Sequence, residues 1–203
     1  MEWLDAYTFP SERTLDNDHA LATKVYTKLV DRLIEHGTTA VSFFGTIAVG
    51  TKWVSSTLCR RFTQLTRTDS LLLARICQNK GIRGQIGKIN MDINSPSDYV
   101  ESTEESLQST RAFITQMQEF VESFEQHNRL VEAVITPRFV PTCSGELLRG
   151  LAQLAKETGC RIQSHLSESA AQVAFSRSLW SGRDDIDVFH EVNGRDLLGK
   201  KFI

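Results

Sequence analysis

Long apolar runs and a basic surplus are both absent from this chain of 203 residues. No apolar stretch approaches the roughly 20 residues that a membrane-spanning helix needs. The formal net charge is -2, whereas proteins that bind nucleic acids or anionic membranes usually carry a basic face. Glu2 and Asp5 put acid where a secretory signal carries base, and no apolar segment follows them. We therefore expect a cytosolic protein that binds neither nucleic acid nor membrane.

Several motifs that would reveal a cofactor are also missing. The four cysteines, at positions 59, 77, 143 and 160, form no C-x-x-C pair, so we expect reduced and mostly buried thiols. No G-x-G-x-x-G follows a predicted strand, which removes the support for a dinucleotide site. Neither H-x-H nor H-E-x-x-H occurs in the sequence. The chain therefore carries no complete metal or nucleotide motif within a short stretch.

What the sequence does contain is a regular alternation of helix and strand patterns. Apolar residues at helical spacing predict helices at 17–36, 69–79, 103–126, 144–157 and 169–179. Apolar and β-branched runs predict strands at 38–45, 83–91, 130–135 and 161–166. This order predicts an α/β fold with a parallel sheet covered by helices. Four strands are about half of a (β/α)8 barrel, and a small doubly wound sheet is the alternative.

Residues 49–67 interrupt this alternation. Their sequence, VGTKWVSSTLCRRFTQLTR, has neither helical nor strand periodicity, and it contains four basic residues and no acid. We treat it as an anomalous segment within one domain spanning 1–203.

One predicted strand ends in a histidine and a glutamate that could carry chemistry. Functional side chains of parallel α/β proteins lie at the carboxyl ends of strands. His165 is at such an end, and Glu168 follows three residues later. A neutral imidazole can bind zinc, and a nearby carboxylate can move protons to and from water. The alternative is a hydrogen-bonded histidine followed by a glutamate that caps the next helix.

The preceding strand ends in Arg138 and Phe139. The guanidinium is a planar fork of donors that suits a carbonyl or a ring nitrogen. The phenylalanine ring can supply a flat apolar wall for a heteroaromatic ligand. The alternative is a surface arginine beside a core phenylalanine, and the local pattern leaves both open.

Longer strings carry a family resemblance over nearly the whole chain. They are WLDAYTFP at 3–10, HGTTA at 36–40, FGTI at 44–47, GKINMD at 87–92, YVESTEES at 99–106, ITPRF at 135–139 and IQSHLSE at 162–168. In this order they resemble the guanine deaminases, a family of zinc-dependent amidohydrolases. The resemblance implies a (β/α)8 barrel that hydrolyses guanine to xanthine and ammonia in purine catabolism. The chain would then be a partial barrel, roughly strands 2 to 5 with their helices.

The resemblance also implies that the string at 44–47 runs almost directly into the helix that begins at 69. Residues 49–67 interrupt this join, so we interpret them as an anomalous insertion produced by translation of non-coding sequence such as a retained intron. The alternative is a genuine insertion on the face where the strands end, since loops there tolerate added residues.

The resemblance also assigns roles to individual residues. It implies that His165 is a zinc ligand, that Glu168 shuttles protons, and that Arg138 and Phe139 hold guanine. The family's H-x-H pair and its later histidine are not found here, so we expect a truncated chain that does not hold zinc by itself. The cytidine-type zinc signature, H-x-E with P-C-x-x-C, is absent.

Two other functions stay open beside guanine deamination. One is a catalytically inactive fragment or pseudoenzyme that binds a partner. The other is an amidohydrolase for a different heterocycle, such as a triazine or a pterin. Because members of the family often form homodimers, a homodimer is one assembly that the resemblance suggests.

Overall fold

The computed structural model describes residues 2–47 and 69–193, and the interruption predicted at 49–67 lies outside them. The strands are β1 (Ala40–Phe44), β2 (Arg83–Gly87), β3 (Ile89–Asn90), β4 (Val131–Pro137) and β5 (Arg161–Ile162). The helices are α1 (Phe9–Asn17), α2 (His19–Glu35), α3 (Asp69–Lys80), α4 (Thr103–Glu122), α5 (Gly145–Thr158), α6 (Ala170–Leu179) and α7 (Asp185–Asn193). The predicted helices are confirmed to within a few residues, whereas α1 was not predicted.

The strands are parallel and follow one another in chain order. β2 and β3 share one register against β4, in which Gly84 lies opposite Val131 and Ile89 lies opposite Thr136. They are therefore a single strand interrupted at Lys88, where the sequence predicted a continuous one. With these two counted together, each strand pairs with the next along the chain. Consecutive order is that of a (β/α)8 barrel and contradicts the doubly wound alternative, in which the strand order reverses.

Side-chain caps and an acidic link fix where α4 and α5 begin. Ser102 and Glu105 form a capping box at the start of α4, and Ser144 caps α5 by accepting a hydrogen bond from Leu147 N at 3.0 Å. Asp92, just after β3, accepts hydrogen bonds from Ser144 N and Oγ at 2.7 and 2.6 Å and from Thr103 Oγ1 at 2.6 Å. One carboxylate thus joins both helix starts to the end of a strand.

The main hydrophobic core lies between the sheet and the helices that cover it. Its fully buried members include Val30, Ile86, Phe113, Ile135 and Leu147. The described cysteines are free thiols, and two of them are buried in this core. Burial raises the pKa of Cys77 to about 11 and that of Cys143 to about 12, so both thiols stay protonated at neutral pH. No helix in the described ranges is long and apolar enough to cross a membrane.

A smaller apolar cluster seats α1 over the carboxyl ends of the strands. It consists of Phe9, Ile47, Ile89, Met91 and Tyr99. Beside it, Thr46 donates a hydrogen bond to Asp16 of α1, and Lys88 is only 1% exposed. Burial lowers the pKa of Lys88, while the Glu101 and Asp16 carboxylates oppose that shift. Apolar packing and buried charge therefore hold the same helix in place.

We expect Asp92→Ala to lower the free energy of unfolding by about 2–4 kcal/mol, because it removes three hydrogen bonds that serve two helix starts. Urea denaturation followed by circular dichroism measures this change. Asp187→Ala, at an exposed position of α7, is the matched control and should change the free energy by less than about 0.5 kcal/mol. Equal effects of the two substitutions would contradict a linking role for Asp92.

Candidate functional site

A cavity of about 750 Å³ opens at the carboxyl ends of the strands, beside the amino-terminal residues 3–12. Arg138, Phe139, His165 and Glu168 all line it, together with Glu12 from α1. A second cavity, of about 690 Å³, lies at the opposite end of the sheet among residues such as Arg83 and Glu132. None of the four predicted residues lines that second cavity. The candidate site is therefore the first cavity, where the strand ends converge.

Backbone contacts hold the end of β4 against both neighbouring strands. Phe139 and His165 form an isolated parallel bridge beyond β5, and Arg138 N donates to Asn90 O of β3 at 3.1 Å. The pairing register between β4 and β5 shifts by one residue before this bridge, since Ile135 lies opposite Ile162 but Phe139 lies opposite His165. The strand predicted at 161–166 therefore ends early, at Ile162, and resumes only as this bridge. This arrangement brings the two predicted pairs of side chains to one rim.

The Arg138 carbonyl also orients the His165 ring. It accepts hydrogen bonds from His165 N at 3.1 Å and from His165 Nδ1 at 2.9 Å. Because a carbonyl oxygen can only accept, Nδ1 carries the proton and Nε2 of the neutral ring keeps its lone pair. The Phe44 ring packs against the imidazole with 4.0 Å between centroids. His165 is thus fixed in the tautomer that can bind a metal through Nε2.

Arg138 is buried and paired, which contradicts the alternative of a surface arginine. It is 5% exposed, and its two Nη atoms donate to the two carboxylate oxygens of Glu12 at 2.9 and 2.8 Å. Its guanidinium also lies 4.9 Å from the centroid of the Phe9 ring. Tyr99 Oη donates to Glu12 Oε2 at 2.9 Å. Burial, reinforced by the Glu12 charge, raises the pKa of Tyr99 far above its ordinary value, so the hydroxyl remains a donor.

The loop that carries Glu168 is held by a buried carboxylate. Asp185, which is 1% exposed, accepts from Ser167 N at 2.8 Å and from Gln172 Nε2 at 2.9 Å. Gln172 Oε1 in turn accepts from Glu168 N at 3.0 Å. These bonds fix Ser167 in a left-handed conformation, with φ of 47°, that residues other than glycine seldom adopt. Two consecutive amides of the loop are thereby tied to α6 and α7.

Glu168 is not the cap of the following helix, so that part of the alternative is wrong, whereas its hydrogen-bonded histidine is confirmed. Ser169 is the N-cap of α6, and its hydroxyl accepts from Gln172 N at 3.1 Å. The Glu168 side chain is exposed and lines the cavity. A carboxylate in this position is free to exchange protons with a ligand or with water.

Sequence reasoning missed three residues of this site. Glu12 lies 126 residues from Arg138, in a segment for which no helix was predicted. Asp185 and Gln172 act through hydrogen bonds across a loop, and no local pattern marks such partners. The one available signal for Asp185 was an acidic residue at the start of a short helix, which ordinarily indicates only a favourable helix dipole.

The described residues do not by themselves fit a catalytic zinc ion. In ranges 2–47 and 69–193, no three His, Cys, Asp or Glu side chains come close enough together to hold a metal. Catalytic zinc usually takes three protein ligands and a water molecule. Of the residues described at the cavity, His165 is the single predicted zinc ligand, and the lone pair of its Nε2 suits metal binding.

Comparison with known proteins identifies relatives over the whole described chain. The model of the amidohydrolase family matches residues 1–183. The guanine deaminase of Dictyostelium discoideum is 37% identical over 182 residues, which cover 90% of this chain and 35% of the relative. The human guanine deaminase is 35% identical over 205 residues, covering 100% of this chain and 39% of the relative. The chain thus spans well under half the length of these curated relatives.

Solved structures share the fold. The guanine deaminase of C. acetobutylicum, with guanine bound in its active site, superposes with a TM-score of 0.74 at 30% identity, covering 95% of this chain and 40% of that one. A mutant atrazine chlorohydrolase from Arthrobacter aurescens, complexed with zinc and atraton, gives a TM-score of 0.76 at 15% identity, covering 99% and 41%. The second likeness shows the fold alone. The predicted partial (β/α)8 barrel is confirmed.

We expect Gln172→Met to release the Glu168 loop, because the substitution keeps the side-chain bulk and removes both hydrogen bonds of the amide. The Glu168 amide should exchange with solvent about tenfold faster, the equivalent of one net hydrogen bond. Hydrogen exchange followed by NMR measures this rate. Gln153→Met, at an exposed position of α5, is the matched control. An unchanged exchange rate at Glu168 would show that Gln172 does not hold the loop.

Proposed function

Because the chain belongs to the amidohydrolase family, we propose that it forms the guanine-binding part of a guanine deaminase. The proposed reaction is hydrolytic: guanine and water give xanthine and ammonia, as in purine catabolism. The observation that carries the proposal is the meeting of Arg138, Phe139, His165 and Glu168 around one cavity at the strand ends. The guanine deaminases among the relatives, one of them solved with guanine bound, support this choice of substrate.

Arg138 and Phe139 are proposed to hold the base. Phe139 lines the cavity with an aromatic face, against which a flat purine gains stacking and apolar contact. Arg138 offers N–H groups beyond the two that Glu12 engages, and guanine presents a carbonyl oxygen and ring nitrogens as acceptors. The remaining arginine N–H groups beside an aromatic wall fix both the plane and the rotation of a heterocycle.

Glu168 is proposed to transfer the protons. Its carboxylate accepts a proton from the attacking water and returns one to the leaving amino group, so that ammonia departs. The carboxylate is exposed at the cavity, and its loop is held by Asp185 and Gln172. A held loop keeps the carboxylate near the base without burying it.

His165 is proposed as one ligand of the zinc ion that this family uses. Its Nε2 lone pair is available because Nδ1 donates to the Arg138 carbonyl. The described residues do not complete a zinc site, so the contribution we assign to them is the base pocket and the proton-transferring carboxylate.

A second candidate function is binding of guanine without turnover. Among the residues that the structure describes, one histidine lines the cavity and no set of three metal ligands is present. This observation favours binding without turnover. An amidohydrolase for another heterocycle has weaker support, because the triazine hydrolases share only the fold at 16% identity or less.

We expect Glu168→Gln to lower the rate of guanine deamination by at least about 100-fold, since a proton-transfer group contributes that much or more. Guanine loss and ammonia release, measured with zinc added, follow the reaction. Guanine affinity should change little, because the glutamine is nearly isosteric. Glu146→Gln, in the first turn of α5 and away from the cavity, is the control. Turnover that persists in Glu168→Gln would remove the assigned role, while guanine binding without turnover in the unaltered chain would favour the second candidate.

We expect Phe139→Ala to weaken guanine binding about tenfold or more, since aromatic stacking on a base contributes about 1–3 kcal/mol. Equilibrium dialysis with radiolabelled guanine measures the dissociation constant without requiring turnover. Phe124→Ala, in the segment after α4 and outside the cavity, should leave binding unchanged. If both variants bind as the unaltered chain does, Phe139 does not hold the base.

A further inference from the structure

The Glu12–Arg138 pair sits where the proposed base pocket needs a donor. The guanidinium is nearly buried, and the Glu12 side chain is 14% exposed. Arginine has five N–H groups, and the Glu12 carboxylate accepts from one of them on each Nη atom. The remaining three are donors for other groups. Because Arg138 lines the cavity, a ligand meets a guanidinium whose charge is already matched by a carboxylate.

We propose that Glu12 is a specificity-determining residue, which pairs with Arg138 so that the cavity accepts an uncharged heterocycle and refuses anions. The proposal rests on the proposed function in taking Arg138 as the group that binds the ligand. A phosphate or a carboxylate binds arginine best through a two-pronged contact with full charge. Glu12 already occupies one such edge of the guanidinium and cancels its charge. An uncharged carbonyl or ring nitrogen needs only one remaining N–H.

The charges around the cavity also disfavour the binding of an anion. Among its described lining residues, the charged side chains are Glu12, Arg138 and Glu168, which sum to one negative charge when His165 is neutral. An anion would therefore face net repulsion in a partly desolvated space. Without the Glu12 charge, the same cavity would present an unpaired guanidinium.

The surroundings of Glu12 keep the pair assembled. Tyr99 Oη donates to Glu12 Oε2 and accepts from Ile47 N at 3.4 Å. The Phe9 ring, on the same helix as Glu12, lies over the guanidinium and 5.8 Å from the Tyr99 ring. The carboxylate is thus oriented by Tyr99, which Ile47 N holds in turn, and by its place on α1. These neighbours hold the Glu12–Arg138 pair in one geometry, which an ion pair on the protein surface lacks.

The test compares the 203-residue chain with Glu12→Gln, using inorganic phosphate as the anionic probe. Thermal unfolding is followed in phosphate and in chloride at equal ionic strength. Phosphate stabilises folded proteins in general, so the unaltered chain sets the reference. We expect phosphate, relative to chloride, to raise the midpoint of Glu12→Gln by about 2–4 °C more than it raises that of the unaltered chain. The double variant Glu12→Gln/Arg138→Gln should lose this extra rise. Glu132→Gln, which frees the exposed Arg161, is the matched control and should show no rise beyond that of the unaltered chain.

A folded Glu12→Gln variant whose rise in phosphate equals that of the unaltered chain would overturn the proposal. So would an extra rise that survives in the double variant, since Arg138 would not be its source. Should Glu12→Gln fail to fold, the unaltered chain is compared with the double variant: a larger rise in the unaltered chain sinks the proposal, and equal rises support it. Guanine binding is measured separately, so a chain that binds no guanine counts against the proposed function and leaves the phosphate result intact.

Discussion

The ion pair between Glu12 and Arg138 is the contact on which the candidate site depends. It joins α1 to the end of β4 across 126 residues of sequence. Removing one partner of such a buried pair leaves an uncompensated charge, which is strongly destabilising. The position of α1 and the direction of the Arg138 side chain are therefore set together. Since Glu12 and Arg138 both line the cavity, the same contact also forms part of its wall.

Much of the fold follows from periodicity, because sheet and helix burial repeat along the sequence. The strand at Val131–Pro137 is an apolar run, and Ser144 to Gly159 carries a cap, an inward leucine stripe and a left-handed glycine stop. The rule that parallel strands present functional side chains at their carboxyl ends singled out the four candidate residues, and the family resemblance gave them their roles. That rule needs only strand boundaries, which such patterns locate to within a few residues.

The remainder could not be predicted, because it depends on partners that are distant in sequence. The strand break at Lys88 looks like continuous strand until Glu101 is known to receive the buried ammonium group. Glu12 belongs to an element whose burial comes from Tyr99 and Met91, not from its own periodicity. Asp185 is likewise meaningful only once Ser167 and Gln172 are beside it. Periodicity reports which face of an element is apolar, and it does not identify the polar group opposite.

Arg138 serves the site through two separate groups. Its guanidinium faces Glu12 and the cavity, whereas its main-chain carbonyl accepts both hydrogen bonds that orient His165. Any residue supplies that carbonyl, so the imidazole tautomer does not depend on the arginine side chain. A substitution of the arginine side chain therefore leaves in place the backbone group that orients the histidine.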